Sequence, residues 1–169
     1  KKGYIATANQ NVTPENYKHW NAIGFSWSDP YRGDRIEQVL SKKNDFTIRD
    51  VKDLQVDVTS LPAKILIPFL KNISFNSFDK SVKENLLNWD YKLEPNSISA
   101  AVYVAWEKAI IDQAGKNFIP KSVRPYIESL QLKRIIDWIL DPKKKFKDAT
   151  KRDLFLKNTF ELAIADLKT

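Results

Sequence analysis

Residues 97–115 read SISAAVYVAWEKAIIDQAG. Val102, Trp106 and Ile110 recur every fourth position, and Ala101, Ala105 and Ala109 form a stripe of small side chains beside them. That spacing is the signature of a helix with a bulky face running alongside a small one. Ser97 or Ser99 offers the side-chain oxygen an N-cap requires, and Gly115 is the expected C-terminal stop.

The same period extends outward in both directions. Downstream, "PYIESLQLKRIIDWILD" stops before Pro142, and "DATKRDLFLKNTFELAIADLK" lines up Leu156, Phe160, Ala163, Ile164 and Leu167 on one face. Upstream, "DKSVKENLLNWDYKL" runs toward Pro95, and "AKILIPFLKNI" is apolar nearly all round, which predicts deep burial. Pro62 either opens that segment at its first position or kinks a continuing helix. In "NDFTIRDVKDLQVDVTS", Thr47 with Asp50 three residues on resembles a capping box, and Ile48, Val51 and Leu54 form an apolar stripe. In "DRIEQVLSKK", Ile36, Val39 and Leu40 stand at i, i+3 and i+4.

Only the N-terminal portion departs from this pattern. "YIATA" reads as a short strand ending at Asn9. The loop "TPENYKHWNAIGFSWSDPYRGD" follows, broken by Gly24, Pro30 and Gly33 and weighted by Trp20, Phe25, Trp27 and Tyr31, so it is expected to pack rather than extend into solvent. The expectation is a mainly α chain of six or seven helices with a short N-terminal β strand. Residues 1–34 hold the strand and aromatic loop, and 35–169 the helices, of one helical segment.

Composition narrows the chemistry. The 169 residues contain no cysteine and one histidine, His19, which excludes disulfides, thiolate nucleophiles and an HExxH zinc site. His19 lies among aromatics and lysines and reads as a packing or surface residue. No apolar run approaches the roughly 20 residues a membrane helix needs. The net charge of +7 is concentrated at Lys143, Lys144, Lys145, Lys147, Lys151 and Arg152. With Phe146 as its one aromatic, this run lacks the stacking platform of a nucleic-acid site and reads as a solvated inter-helix loop, so neither a nucleic-acid nor a membrane partner is expected. The chain has no methionine, which leads us to expect a piece cut from a longer polypeptide.

"SFDK", Ser77 to Lys80, matches the SxxK pattern of serine acyl-enzymes. Neither companion motif of that class, SDN or KTG, occurs in the chain, and Ser77 is better read as a helix cap. Of the remaining polar residues, Asn9 after a strand is ordinarily a turn residue, Arg35 early in a helix ordinarily a surface one, and Asp57 ordinarily a solvated or hydrogen-bonding one.

The order of features is more specific than any single one. "GYIATANQNV", then "PYRGDRIEQVL", then "TIRDVKDLQVDVTSLPAKILIPFL" resembles the middle of the β-chain of the penicillin acylase (penicillin amidase) family. The matching positions are Asn9, Arg35-Ile36-Glu37, Asp53, Gln55, Asp57, Ser60, Ala63 and Leu66-Ile67-Pro68. The resemblance is close over roughly the first 70 residues and rests on length and character beyond them. One departure is Gln10, where family members often carry a second asparagine.

That resemblance implies a place inside a larger αββα N-terminal nucleophile hydrolase, a family in which a precursor cuts itself to expose a serine. The hydroxyl of that serine attacks a linear amide while its own α-amine, which titrates near neutrality, serves as base, so no histidine is needed. By position, Asn9 falls on the family's oxyanion-hole asparagine and Arg35 on its active-site arginine, whose planar fork suits a carboxylate or the Asn carbonyl. Asp57 and Gln55 are expected to be structural. The implied partners are the remainder of the acylase (its α-chain and the rest of its β-chain) and a small N-acylated amine, and the implied compartment is periplasmic or secreted. Calcium is common in the family, but no residue here matches a calcium ligand, and no cofactor is expected. By itself the chain is expected to be inactive. The alternative reading, from residues alone, is a non-enzymatic helical interaction module with a basic loop.

Overall fold

A computed structural model describes residues 3–14, 16–19, 22–24 and 27–168. Trp20 and Phe25 of the aromatic loop lie outside the described residues. The chain divides into two compact units, Lys1–Thr59 and Ser60–Thr169.

The first unit holds two helices, α1 (Tyr31–Leu40) and α2 (Ile48–Gln55). Helix α1 starts three residues before the expected Asp34, because Pro30 caps it and accepts the Asp34 N–H at 2.8 Å. Gly33 is therefore a buried position inside the helix, not a break in front of it. Helix α2 opens on the anticipated capping box: Asp50 N–H donates to the Thr47 hydroxyl, and the Asp50 carboxylate accepts the Thr47 N–H. Such a reciprocal cap satisfies two backbone donors that a helix end otherwise leaves to solvent. The apolar stripe of α2 is not a core face of this unit, since Ile48 and Val51 remain exposed.

The expected N-terminal strand does not form among the described residues. From Gly3 to Ala8, exposure still alternates residue by residue, ending in buried Ala8 with Ile5 fully out. The period-2 pattern is present without a ladder. In place of a neighbouring strand, the Ala8 N–H donates to the side-chain carbonyl of Gln10, which closes a turn around Asn9.

The second unit is built on α5 (Ile98–Phe118) packed along α7 (Ala149–Asp166). Trp106, Tyr103, Ile110, Leu156 and Phe160 are essentially inaccessible there, and the Trp106 indole meets the Phe160 ring edge-on at 5.5 Å. Ser97 caps α5 as expected, but Gly115 does not end it. The helix runs on to Phe118 and stops at Ile119, the residue before Pro120, where the proline ring disfavours helical backbone. Ser60 caps α3 (Leu61–Leu66), accepting the Ala63 N–H with Pro62 in the first turn. The buried run then tightens into a 3₁₀ helix, Ile67–Asn72, where Pro68 removes a backbone donor. Helix α4 (Ser77–Leu87) is capped by Asn76, so Ser77 is its first residue and not its cap. It also ends well short of Pro95. Helix α6 (Leu132–Leu140) buries Leu132, Ile135, Ile136 and Ile139.

The basic loop between α6 and α7 is solvated at Lys143, Lys144, Lys145 and Lys147, as expected, and pinned at Phe146. Phe146 is buried against Phe118 and Phe155, and the Lys145 ammonium sits over the rings of Phe118 and Trp138. Among the described residues no helix is long and apolar enough to cross a membrane.

Candidate active site

The residues singled out for chemistry, Asn9 and Arg35, both belong to the first unit. Asn9 is exposed and has φ = +66°, a left-handed conformation that asparagine tolerates better than most side chains. Its backbone carbonyl accepts the Ser28 N–H at 3.0 Å. The main chain is thus restrained while the residue stays exposed, as one available to a ligand must.

Next to it, the Gln10 carboxamide lies flat on helix α1. A Cβ added to Gly33 would come within 2.2 Å of Gln10 Nε2 and 2.3 Å of its carbonyl carbon, so the two residues share one space. Gly33 has an ordinary helical backbone, and any side chain there would have to displace the flexible end of Gln10. Glycine inside a helix costs about 1 kcal/mol relative to alanine.

Arg35 lies one turn into α1, beyond the helix start where it was expected. Its guanidinium grips Asp57 with two donors, Nε to Oδ1 at 3.0 Å and Nη2 to Oδ2 at 2.6 Å, and sends Nη1 to the Gln38 side chain at 2.6 Å. Bidentate geometry of this kind is the strongest form of an arginine–carboxylate contact. Hydrogen bonding to Arg35 holds the Asp57 carboxyl well below the usual carboxylate range, helped by the Thr59 N–H. The same contact raises the Arg35 pKa. The fork is therefore filled by a carboxylate from its own chain, and Asp57, expected to be structural, stands in direct contact with the candidate site.

Beside that pair lies a cleft of about 310 Å³, lined by residues of α1, α2 and their connection. Three cations (Arg35, Lys42, Lys43) and three carboxylates (Asp50, Asp53, Asp57) face it, with Val39, Phe46 and Leu54 between them. Lys43 is paired with Asp50 at 2.8 Å, so much of the charge is neutralised internally. Among the described residues no three His, Asp or Glu side chains converge to hold a metal ion.

The other sequence candidates have ordinary surface settings. Ser77 and Lys80 are both exposed on the first turn of α4, in the second unit. His19 is exposed, its ring edge-on to Tyr17 at 6.0 Å. Gln10, Gly33 and Gln38 make contacts beside the candidate residues that the sequence does not announce. Only Gln38 had a local signal, since it follows Arg35 at i+3 on one helical face. The contact between Gln10 and Gly33 joins residues 23 positions apart in the chain, and no spacing rule reaches it.

A comparison with individually curated proteins finds no match. The description Penicillin amidase matches residues 1–169. A match of that extent settles kinship: the chain belongs to the penicillin amidase family.

Proposed function

We propose that this chain supplies the oxyanion-binding part of an amidohydrolase that cleaves linear N-acyl bonds, with a serine nucleophile carried by residues outside this sequence and housed in an αββα fold. The observation that carries the reading is the family match over residues 1–169, which brings hydrolase chemistry with it. The placement of Asn9 supports it: a restrained, left-handed backbone at an exposed residue.

In this mechanism the serine hydroxyl attacks the carbonyl carbon of the substrate amide, and the α-amine of the same serine takes the hydroxyl proton. Negative charge collects on the carbonyl oxygen, where the Asn9 Nδ2–H donates. The α-ammonium then passes its proton to the departing amine, leaving an acyl ester that water hydrolyses by the same route. A preorganised donor is effective here because it needs no reorientation as charge develops. Arg35 acts as a brace. With Asp57 neutralising most of its charge, it contributes fixed geometry beside the site more than net field. The substrate is a small N-acylated amine, and the partner is the remainder of the acylase.

The test is Asn9→Ala in the intact, self-processed enzyme. Turnover should fall about 10²-fold or more with the fold intact; the exposed side chain buries nothing, and alanine on this left-handed backbone costs only about 1 kcal/mol of stability. Wild-type turnover would remove Asn9 from the oxyanion hole. A screen of acylated amines of varied chain length would then assign the acyl preference.

A further inference from the structure

The residue after Asn9 is a place where this chain departs from the pattern it resembles, and it touches the helix that carries Arg35. We infer that Gln10 and Gly33 form a latch that positions Asn9 for its work, an inference that rests on the oxyanion role proposed above.

The geometry has three parts. The Gln10 Oε1 accepts the Ala8 N–H, so the carboxamide spans the turn whose apex is Asn9. The remainder of that carboxamide fills the volume a side chain at position 33 would occupy, with Nε2 and the carbonyl carbon 2.2 and 2.3 Å from an ideal Cβ. Gly33 stands two residues before Arg35, on the same turn of α1. One side chain therefore closes the Asn9 turn and seats that turn on the helix bearing the arginine. Ser28, donating to the Asn9 carbonyl, restrains the turn at a further point. A second asparagine at position 10 would be one methylene shorter. It would not fill the Gly33 space and close the turn in the same way, so Gln10 and Gly33 operate as a matched pair.

Gln10 and Gly33 are positioning residues and touch no substrate. Their effect passes through the direction of the Asn9 carboxamide. Misplacing a catalytic donor by about 1 Å can cost up to about 10²-fold in rate. Gly33→Ala separates positioning from folding. Alanine favours the helix by about 1 kcal/mol, so a purely structural account predicts an enzyme at least as stable and equally active once the flexible Gln10 side chain has swung away. The latch predicts an enzyme at least as stable and about 10-fold slower.

The experiment compares Gly33→Ala, Gln10→Ala, their double variant and Asn9→Ala in the intact, processed enzyme. Thermal midpoint, kcat and KM are measured for each on one chromogenic N-acyl substrate. The expected result is kcat reduced about 10-fold in Gly33→Ala and in Gln10→Ala, with KM within twofold. The double variant should be no slower than Gln10→Ala alone, because each change removes the same contact. Gln10→Ala introduces no clash, so the outcome does not depend on whether alanine is tolerated at position 33. Wild-type kcat in Gly33→Ala and Gln10→Ala alongside a crippled Asn9→Ala would overturn the latch and leave the oxyanion reading standing. Full additivity in the double variant would overturn it equally. Wild-type kcat in Asn9→Ala would overturn the oxyanion reading itself, and the latch with it.

Discussion

The two units differ in what holds them: the one with the candidate site residues is ordered by polar contacts, the other by an apolar core. Among the described residues of the first unit, Ala8 is the one buried apolar side chain, while Ile5, Val12, Ile48 and Val56 are all more than half exposed. Order there comes from polar contacts: the Thr47–Asp50 box, the Arg35–Asp57 fork and the Gln10 turn. The second unit inverts this. Among the described residues, twelve large side chains are under 2% accessible, every one of them in the second unit, so the apolar effect alone gives it a firm core. Among the described residues, the candidate side chains are thus held by directional bonds on a lightly packed frame. Bulk packing is concentrated where no candidate chemistry lies.

The contrast is broken most directly by removing the largest core side chain. Trp106 is fully inaccessible, and Trp106→Ala should lower stability by about 3–5 kcal/mol, since the cavity in such a core collapses only partly. Chemical denaturation of the intact enzyme reads this as a lower midpoint at an unchanged slope. At a temperature where the variant is folded, kcat should stay within about twofold, the reverse of Asn9→Ala. A variant as slow as Asn9→Ala would show that the second unit takes part in catalysis and would end the contrast.

A smaller change sharpens the same point. The Trp106 indole N–H donates to the Thr159 hydroxyl at 3.1 Å, and that hydroxyl reaches the carbonyls of Phe155 and Leu156, 3.0 Å each. Thr159→Val keeps the shape and deletes the acceptor, leaving a buried indole N–H without a partner. The expected loss is about 1–3 kcal/mol by denaturation. A neutral result would mean that the second unit is held by packing alone.

The division also explains what could be read beforehand. Helices of the second unit were legible because burial imposes a 3.6-residue period on the residues themselves, as at Val102, Trp106 and Ile110. Their ends were less so. Gly115 carries a stop signal, but the backbone has no need of one until Ile119 meets Pro120. In the first unit, Asn9 and Arg35 stood out through resemblance, and the Thr47–Asp50 box through spacing. The anticipated strand did not follow, because a strand is completed by a partner and a five-residue pattern does not contain one. Gln10 against Gly33 and Arg35 against Asp57 are tertiary contacts between ordinary residue types, and nothing in local sequence marks them.

Acid tests the polar side of the contrast with the smallest effect. The Asp57 pKa is depressed from its ordinary 3.8, chiefly by hydrogen bonding to Arg35. A carboxyl depressed on folding stabilises the folded state above its unfolded pKa, and that contribution disappears as pH falls through the folded value. Asp50, held down by Lys43 and Thr47, responds in the same direction, so total acid sensitivity does not isolate either group. The difference between wild type and Asp57→Asn does. Both Asp57 and Arg35 side chains are about one-fifth accessible, and solvent screens the pair to about 1 kcal/mol or less. At pH 7, Asp57→Asn should be less stable by that amount. Below pH 4 the gap should narrow steadily, as wild type loses the charge the variant never had. A gap that stays constant into acid would mean that Asp57 serves through its shape and its hydrogen bond with Thr59, and that the Arg35 fork is not what orders this unit.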